Sequence, residues 1–334
     1  MLKFKFWALA VAGAFVVPTA NAGTIIESFT NNPAVDGWQV FGDTNLFSWN
    51  TTNQNLAVTW DSSQPNSYFY HPLGTILGRD DDFQFSFDLE FNDILAGVNT
   101  NKPDAIEVAV GFLNFGDASG AFVRGSPAYP SASPDPINLA EFDYFSAFTD
   151  PLFGYVPASI APTFISSDFA FDGIFGDDFT MTNGVWYHVQ MNYTSSNLTL
   201  MTLVTQTAQT NILFAANDTI SGTNDYRVDT FSISSYSDIG DSYDSLLAHG
   251  WVANLSITIP PPPLLNIAGG FTNHIWQVQF SNRSNWVYTL ERSSDLKSWA
   301  PASAVIPGNG GILYLQDTNA PLGNAFYRVN AQKP

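Results

Sequence analysis

Apolar and polar residues alternate along most of this chain, and the period is two. Phe83, Phe85, Phe87, Leu89 and Phe91 fall on every second residue, with Gln84, Ser86, Asp88 and Glu90 between them. That spacing places the rings on one face of a β-strand and the polar groups on the other. Similar alternation predicts strands at Leu56–Trp60, Ile106–Phe112, Tyr226–Ser234 and Trp251–Ile259. Trp186–Tyr193 and Leu198–Val204 predict a hairpin through Thr194-Ser195-Ser196-Asn197. A strand over Thr24–Phe29 is expected beside Trp251–Ile259, closing a sandwich. No segment of ten or more residues carries a helical period. Between Asp117 and Thr182 the pattern weakens into Gly, Pro, Ser and Asp, with Leu139–Phe145 as one strand inside it. Irregular chain of that length in a compact domain often forms functional loops.

Two features divide the chain. Lys3 and Lys5, the apolar run Phe6–Val17 and Ala20-Asn21-Ala22 have the form of a secretory signal peptide over residues 1–22. Export to the periplasm, cell surface or medium is therefore expected, and no later stretch is apolar enough to span a bilayer. Pro260-Pro261-Pro262-Pro263 forms a stiff polyproline linker. The expected organisation is an all-β jelly-roll sandwich at 23–259, the linker at 260–263, and a small β-sandwich at 264–334. Strands in the last block are expected at His274–Ser281, Val287–Arg292, Ala304–Ile306, Gly311–Gln316 and Ala325–Asn330.

Composition narrows the function. Residues 23–263 hold 4 Lys+Arg against 27 Asp+Glu, a net of −23, whereas 264–334 hold 5 against 3, a net of +2. Such a field repels nucleic acid, anionic lipid and acidic polysaccharide and tolerates neutral partners. The chain has no cysteine, so thiol chemistry and disulfides are excluded. The four histidines, at 71, 188, 249 and 274, lack metal-ligand spacing. Calcium is the one cofactor the acidic loops suggest, with Asp80 and Asp82 as its candidate ligands in the Asp80-Asp81-Asp82 run. Consecutive acids cannot all point inward, and a solvated loop is the competing reading.

The first block resembles the concanavalin A-like (laminin-G-like) jelly rolls of secreted bacterial proteins. The resemblance rests on Leu56-Ala57-Val58-Thr59-Trp60-Asp61, the strand FQFSFDLEF, Glu141-Phe142-Asp143-Tyr144-Phe145 and the strand WYHVQMNY. The second block resembles a short immunoglobulin or fibronectin type III-like module. It carries Tyr288-Thr289-Leu290-Glu291-Arg292-Ser293-Ser294-Asp295-Leu296, then Trp299, Asp317 and Phe326-Tyr327-Arg328-Val329. Both resemblances imply binding or surface retention.

Retaining glucanases of the jelly-roll class use Glu-x-Asp-x-x-Glu on a strand. Asp88-Leu89-Glu90-Phe91-Asn92-Asp93 has a carboxylate at all three positions but none of the expected type, and Glu141-Phe142-Asp143-Tyr144-Phe145-Ser146 ends in serine. Retention needs two carboxyl groups about 5–5.5 Å apart, and the shorter Asp side chains retract from that spacing. No residue is assigned a catalytic role. Aromatic rings stack on sugars while carboxylates and amides bind hydroxyls. Tyr68, Tyr70 and Trp49, with Glu141, Asp143 and Tyr144, are accordingly the candidate ligand-binding residues, although each ring could equally be core. The leading expectation is a secreted, non-catalytic protein that recognises a neutral polysaccharide or surface glycan, with calcium as a candidate aid to binding. A divergent glycoside hydrolase or lyase and a purely structural matrix protein are the alternatives.

Overall fold

The computed structural model describes residues 23–96, 107–120, 138–150, 154–166, 171–173, 177–207, 209, 211–236, 245–262, 264–273, 275–284, 286–321, 323 and 325–333. The signal segment, His274 and most of the Gly/Pro-rich stretch after Gly120 lie outside these residues. The chain forms two compact units, Gly23–Ile259 and one containing Pro260–Pro334. No helix among the described residues is long and apolar enough to cross a membrane.

The larger unit is a jelly-roll β-sandwich of two antiparallel sheets. The first sheet runs Ile212–Thr219, Thr199–Gln206, Tyr187–Thr194, Phe83–Ala96, Leu246–Ile259, Asn55–Asp61, Phe47–Asn50, with Gly23–Glu27 also beside Leu246–Ile259. The second runs Phe171–Gly173, Ser159–Ile165, Leu139–Phe145, Glu107–Leu113, Arg227–Ser235, Ser67–Gly78, Gln39–Phe41, with Asp177–Asp178 also beside Ser159–Ile165. The N-terminal strand pairs as the alternation predicts, with Gly23 opposite Ile259 and Glu27 opposite Leu255.

The two-residue period sets the core. Phe83, Phe85, Phe87, Leu89 and Phe91 are all buried. They meet rings from the facing sheet: Phe85 lies 5.3 Å from both Phe112 and Phe231, Phe87 lies 5.6 Å from Phe142, and Phe91 lies 5.5 Å from Tyr144. Tilted and edge-to-face rings at these separations add to the burial of area.

One strand that the sequence hides is Ser159–Ile165, in which Pro162 would ordinarily argue against an internal position. It pairs with Leu139–Phe145 on one side. On its other side Asp177–Asp178 pairs only with Ser159–Ile160, and Phe171–Gly173 only with Thr163–Ile165. Among the described residues, no strand is paired to Pro162 on that side.

The smaller unit has two small antiparallel sheets. One is Leu265–Thr272, Ile275–Ser281 and Ile312–Asp317; the other joins Ala300–Pro301, Val287–Ser293, Ile306–Pro307 and Phe326–Gln332. The strand Leu265–Thr272 has no counterpart in the sequence-based expectation: its residues do not alternate, and all are exposed. Arg292, Asp317 and Tyr327 converge here. Buried Asp317 accepts from Arg292 Nη1 at 2.7 Å and from the Tyr327 hydroxyl at 2.9 Å. Burial, followed by the bond to Asp317, pushes the Tyr327 hydroxyl up to about 12.

Candidate functional site

The outer face of the first sheet carries an open groove. Its cavity is ≈ 630 Å³, within the range of small-molecule sites. Ser28, Thr30, Asn53, Gln54 and Asn55 line one part, and Asp88, Glu90, Trp186, Thr207, Trp251, Ala253 and Asn254 line the rest. None of these is Lys or Arg.

Register explains why the two tryptophans converge. Trp251 pairs directly with Glu90. Tyr187 pairs with Leu89 and His188 with Asp88, so continuing the register by one residue places Trp186 opposite Glu90 on the other side. Three adjacent strands thus present Trp186, Glu90 and Trp251 in one row. Tyr187, Leu89 and Val252, one residue along each strand, point into the core, so the row faces outward. Strands lie about 4.8 Å apart, which separates the two tryptophan attachment points by roughly 10 Å. Trp251 donates its indole N–H to Asn92 Oδ1 at 3.1 Å, which fixes its ring.

The strand Leu246–Ile259 bends at this point. Its pairing with Phe83–Ala96 shifts register between His249 and Gly250 and again between Ala253 and Ser256. Bulges of this kind re-aim side chains. At the second, its neighbour on the opposite edge changes from Asn55–Asp61 to Gly23–Glu27. Asn254 there has a φ of 48°, a left-handed conformation that asparagine tolerates better than most residues.

Asp88 was expected on a solvated face. It does point away from the core, but it is buried at 4% exposure. His188 Nδ1 lies 2.6 Å from its Oδ1, and Asn254 Nδ2 donates to its Oδ2 at 2.7 Å. An ionised carboxylate can only accept, so the imidazole places its proton on Nδ1. Both oxygens of Asp88 are therefore engaged by the protein. Glu90 differs: it makes no hydrogen bond or ion pair with any described residue. Asp88 and Glu90 stand side by side on one strand rather than facing one another across the groove. A second pair, His249 Nδ1 and Asp93 Oδ1 at 2.8 Å, joins Leu246–Ile259 to Phe83–Ala96.

The rim containing Ser28 and Thr30 is held from below. Glu27 is buried; its Oε1 accepts from Phe29 N at 2.5 Å, and its Oε2 has no partner among the described residues. Burial holds the Glu27 carboxyl above its usual range, against the smaller opposing effect of the Phe29 bond. A raised folded-state pKa contributes stability below the unfolded value and loses it as pH rises through the folded value. Glu27→Gln is therefore expected to raise the melting temperature at pH 7, with the gain over the wild type closing as pH falls below the ordinary carboxylate range. Paired thermal melts across that range check it.

The residues singled out from sequence lie elsewhere. Trp49 is half-buried and donates its indole N–H to Phe29 O at 2.8 Å, tying its strand to the same rim. Tyr68 is fully buried, 5.8 Å from Tyr236, and donates to Ala118 O. Tyr70 stacks on Phe115 at 4.4 Å and donates to Gln39 Oε1. Tyr144 sits in the inter-sheet core, its hydroxyl accepting from Met181 N at 3.1 Å and pushed up by burial. Glu141 and Asp143 alternate to the outer face of the second sheet, yet both are 0% exposed. Glu141 accepts from the Tyr236 hydroxyl at 3.1 Å. That outer face holds a second apolar cluster of Tyr68, Tyr70, Leu113, Leu139, Ile165 and Tyr236, so these rings pack inside the unit rather than presenting open faces.

Asp80, Asp81 and Asp82 diverge. Asp80 is exposed, and Asp81 is buried with its Oδ2 accepting from Gly78 N at 3.1 Å. Asp82 Oδ1 accepts from Ser195 N at 2.8 Å and from its hydroxyl at 2.5 Å. Among the described residues, no group of three or more acidic or histidine side chains is placed to hold a metal ion. Sequence reasoning missed Trp186 and Trp251 altogether. The two carry one signal that could have found them: each sits where a strand of alternating apolar residues would turn an aromatic outward.

No family model matches the sequence, and no curated protein matches it. Similar solved structures include peanut lectin with a 9mer peptide, 16% identical, covering 73% of this chain and 100% of that one at a TM-score of 0.43. Winged bean acidic lectin complexed with methyl-α-D-galactose is 11% identical, with 72% and 99% covered and a TM-score of 0.43. An alginate lyase mutant in complex with alginate trisaccharide is 13% identical, with 72% and 98% covered and a TM-score of 0.37. At these identities and scores the likenesses assign this chain to no family.

Proposed function

We propose that this is an exported glycan-binding protein whose site is the outer groove of the first sheet. The observation that carries the reading is the row Trp186–Glu90–Trp251, half-buried on the outer sheet face and edged by Asn53, Gln54, Asn55, Thr207 and Asn254. Indole faces stack on the apolar faces of sugar rings, while amide and hydroxyl groups at the edges meet sugar hydroxyls. The absence of Lys and Arg from the lining, with the acidic field of residues 23–263, supports partners that are not anionic. Binding rather than turnover is supported by the engagement of both Asp88 oxygens within the protein.

A glycan array of uncharged and amine-bearing oligosaccharides tests the reading. Selective binding is expected, and running the array in calcium and in chelator shows whether the ion assists it. Trp251→Ala is expected to weaken it about tenfold or more, equivalent to at least about 1.4 kcal/mol. Silence against every glycan, or binding that Trp251→Ala leaves unchanged, would overturn the assignment of the groove.

A further inference from the structure

Glu90 is the unusual member of the row. Every other carboxylate near it has its own partner: Asp88 has His188 and Asn254, and Asp93 has His249. Glu90 has none among the described residues, although it is half-buried between two indoles. A carboxylate partly removed from water gains from a counter-charge. Trp186 and Trp251 stand beside Glu90 in the row, and an indole whose face meets a ligand attracts a cation. A neutral sugar could also stack on an indole and donate a hydroxyl to Glu90, but it would leave the carboxylate without a counter-charge.

We infer that the groove selects amine-bearing sugars, with Glu90 receiving the ammonium of one residue while Trp186 and Trp251 stack on the rings to either side. This rests on the glycan-binding reading and narrows it to a cationic ligand class. The roughly 10 Å between the tryptophan attachment points calls for a ligand longer than one sugar, laid across the strands rather than along them. Asp88 already holds His188 and Asn254, one at each oxygen, whereas Glu90 is the lining carboxylate that no described residue engages.

Calorimetry on the purified full chain tests this with three hexasaccharides: a glucosamine hexamer at a pH where its amines are charged, its fully N-acetylated counterpart, and a hexamer of glucose. The glucosamine hexamer is expected to bind at least about tenfold more tightly than either uncharged one, and salt is expected to reduce the difference. Glu90→Gln is expected to bring the three affinities within about twofold of each other while leaving the melting temperature unchanged. The acidic field of the whole unit attracts any polycation; a preference of that origin would survive Glu90→Gln, and its survival would overturn the inference. Equal affinity of the wild type for all three, still lost in Trp251→Ala, would overturn the amine selectivity and leave the groove assigned to glycans. No binding of any hexamer would sink both.

Discussion

Phe85→Ala lowers the free energy of unfolding of the larger unit by about 3–5 kcal/mol, the usual cost of emptying a buried aromatic site. Phe85 is 0% exposed and lies 5.3 Å from both Phe112 and Phe231, which are themselves 5.3 Å apart. The three rings come from three strands in two sheets, so no single side chain can relax into the space left behind. Loss of the ring removes its burial and also the edge contacts that orient its partners. Urea denaturation followed by tryptophan fluorescence measures it, as a shift of the midpoint at unchanged slope. A loss below about 1 kcal/mol would mean that the sheets do not meet at this position. Phe83→Ala serves as a comparison, since Phe83 stacks on Tyr193 at 5.2 Å and lies 5.0 Å from Phe112 at the end of the same row.

Gly250→Ala should damage stability and binding together. A Cβ on Gly250 would sit 2.3 Å from Glu90 O and 3.3 Å from Glu90 C, both backbone atoms, and 3.3 Å from the Trp60 ring. Backbone in a paired strand cannot yield as the tip of a flexible side chain does. The variant must either push Phe83–Ala96 away or undo the bulge, and overpacking of this kind costs about 1–3 kcal/mol. Glu90 and Trp251 are the residues displaced, so affinity for the preferred oligosaccharide should fall at least about tenfold even where the protein remains folded. Calorimetry and denaturation on the same preparation separate the effects. A folded Gly250→Ala variant with wild-type affinity would show that the close approach of these strands does not position the site.

The contrast between Phe85 and Gly250 shows what the sequence made legible. The row from Phe83 to Phe91 repeats with strict period two, and the core follows from it directly. The hairpin after Trp186 was equally readable, because alternation and turn residues agree there. The groove depends instead on register across three strands that are distant in sequence. Trp186, Glu90 and Trp251 meet only because two bulges set where Leu246–Ile259 crosses Phe83–Ala96, and a bulge leaves almost no trace in composition. Gly250 and Asn254 are the visible traces, each next to a lining residue. For Glu141 and Asp143, alternation correctly separated them from Phe142 and Tyr144. It could not reveal that the face to which they turn is itself covered by a second apolar layer. The triplet at 80–82 shows the same limit: adjacent acids splay to three environments, and only the distant turn at Ser195 explains Asp82.

The pairing of Gly23 with Ile259 has a mechanical consequence. The two ends of the sandwich leave from neighbouring, oppositely directed strands at one edge of that pair. A pull applied between Gly23 and the chain beyond Ile259 therefore loads the ladder one rung at a time from its open end, as a zipper, instead of shearing all its hydrogen bonds at once. Gly23–Glu27 would peel away at low force, lengthening the tether while the aromatic interior beneath stays closed.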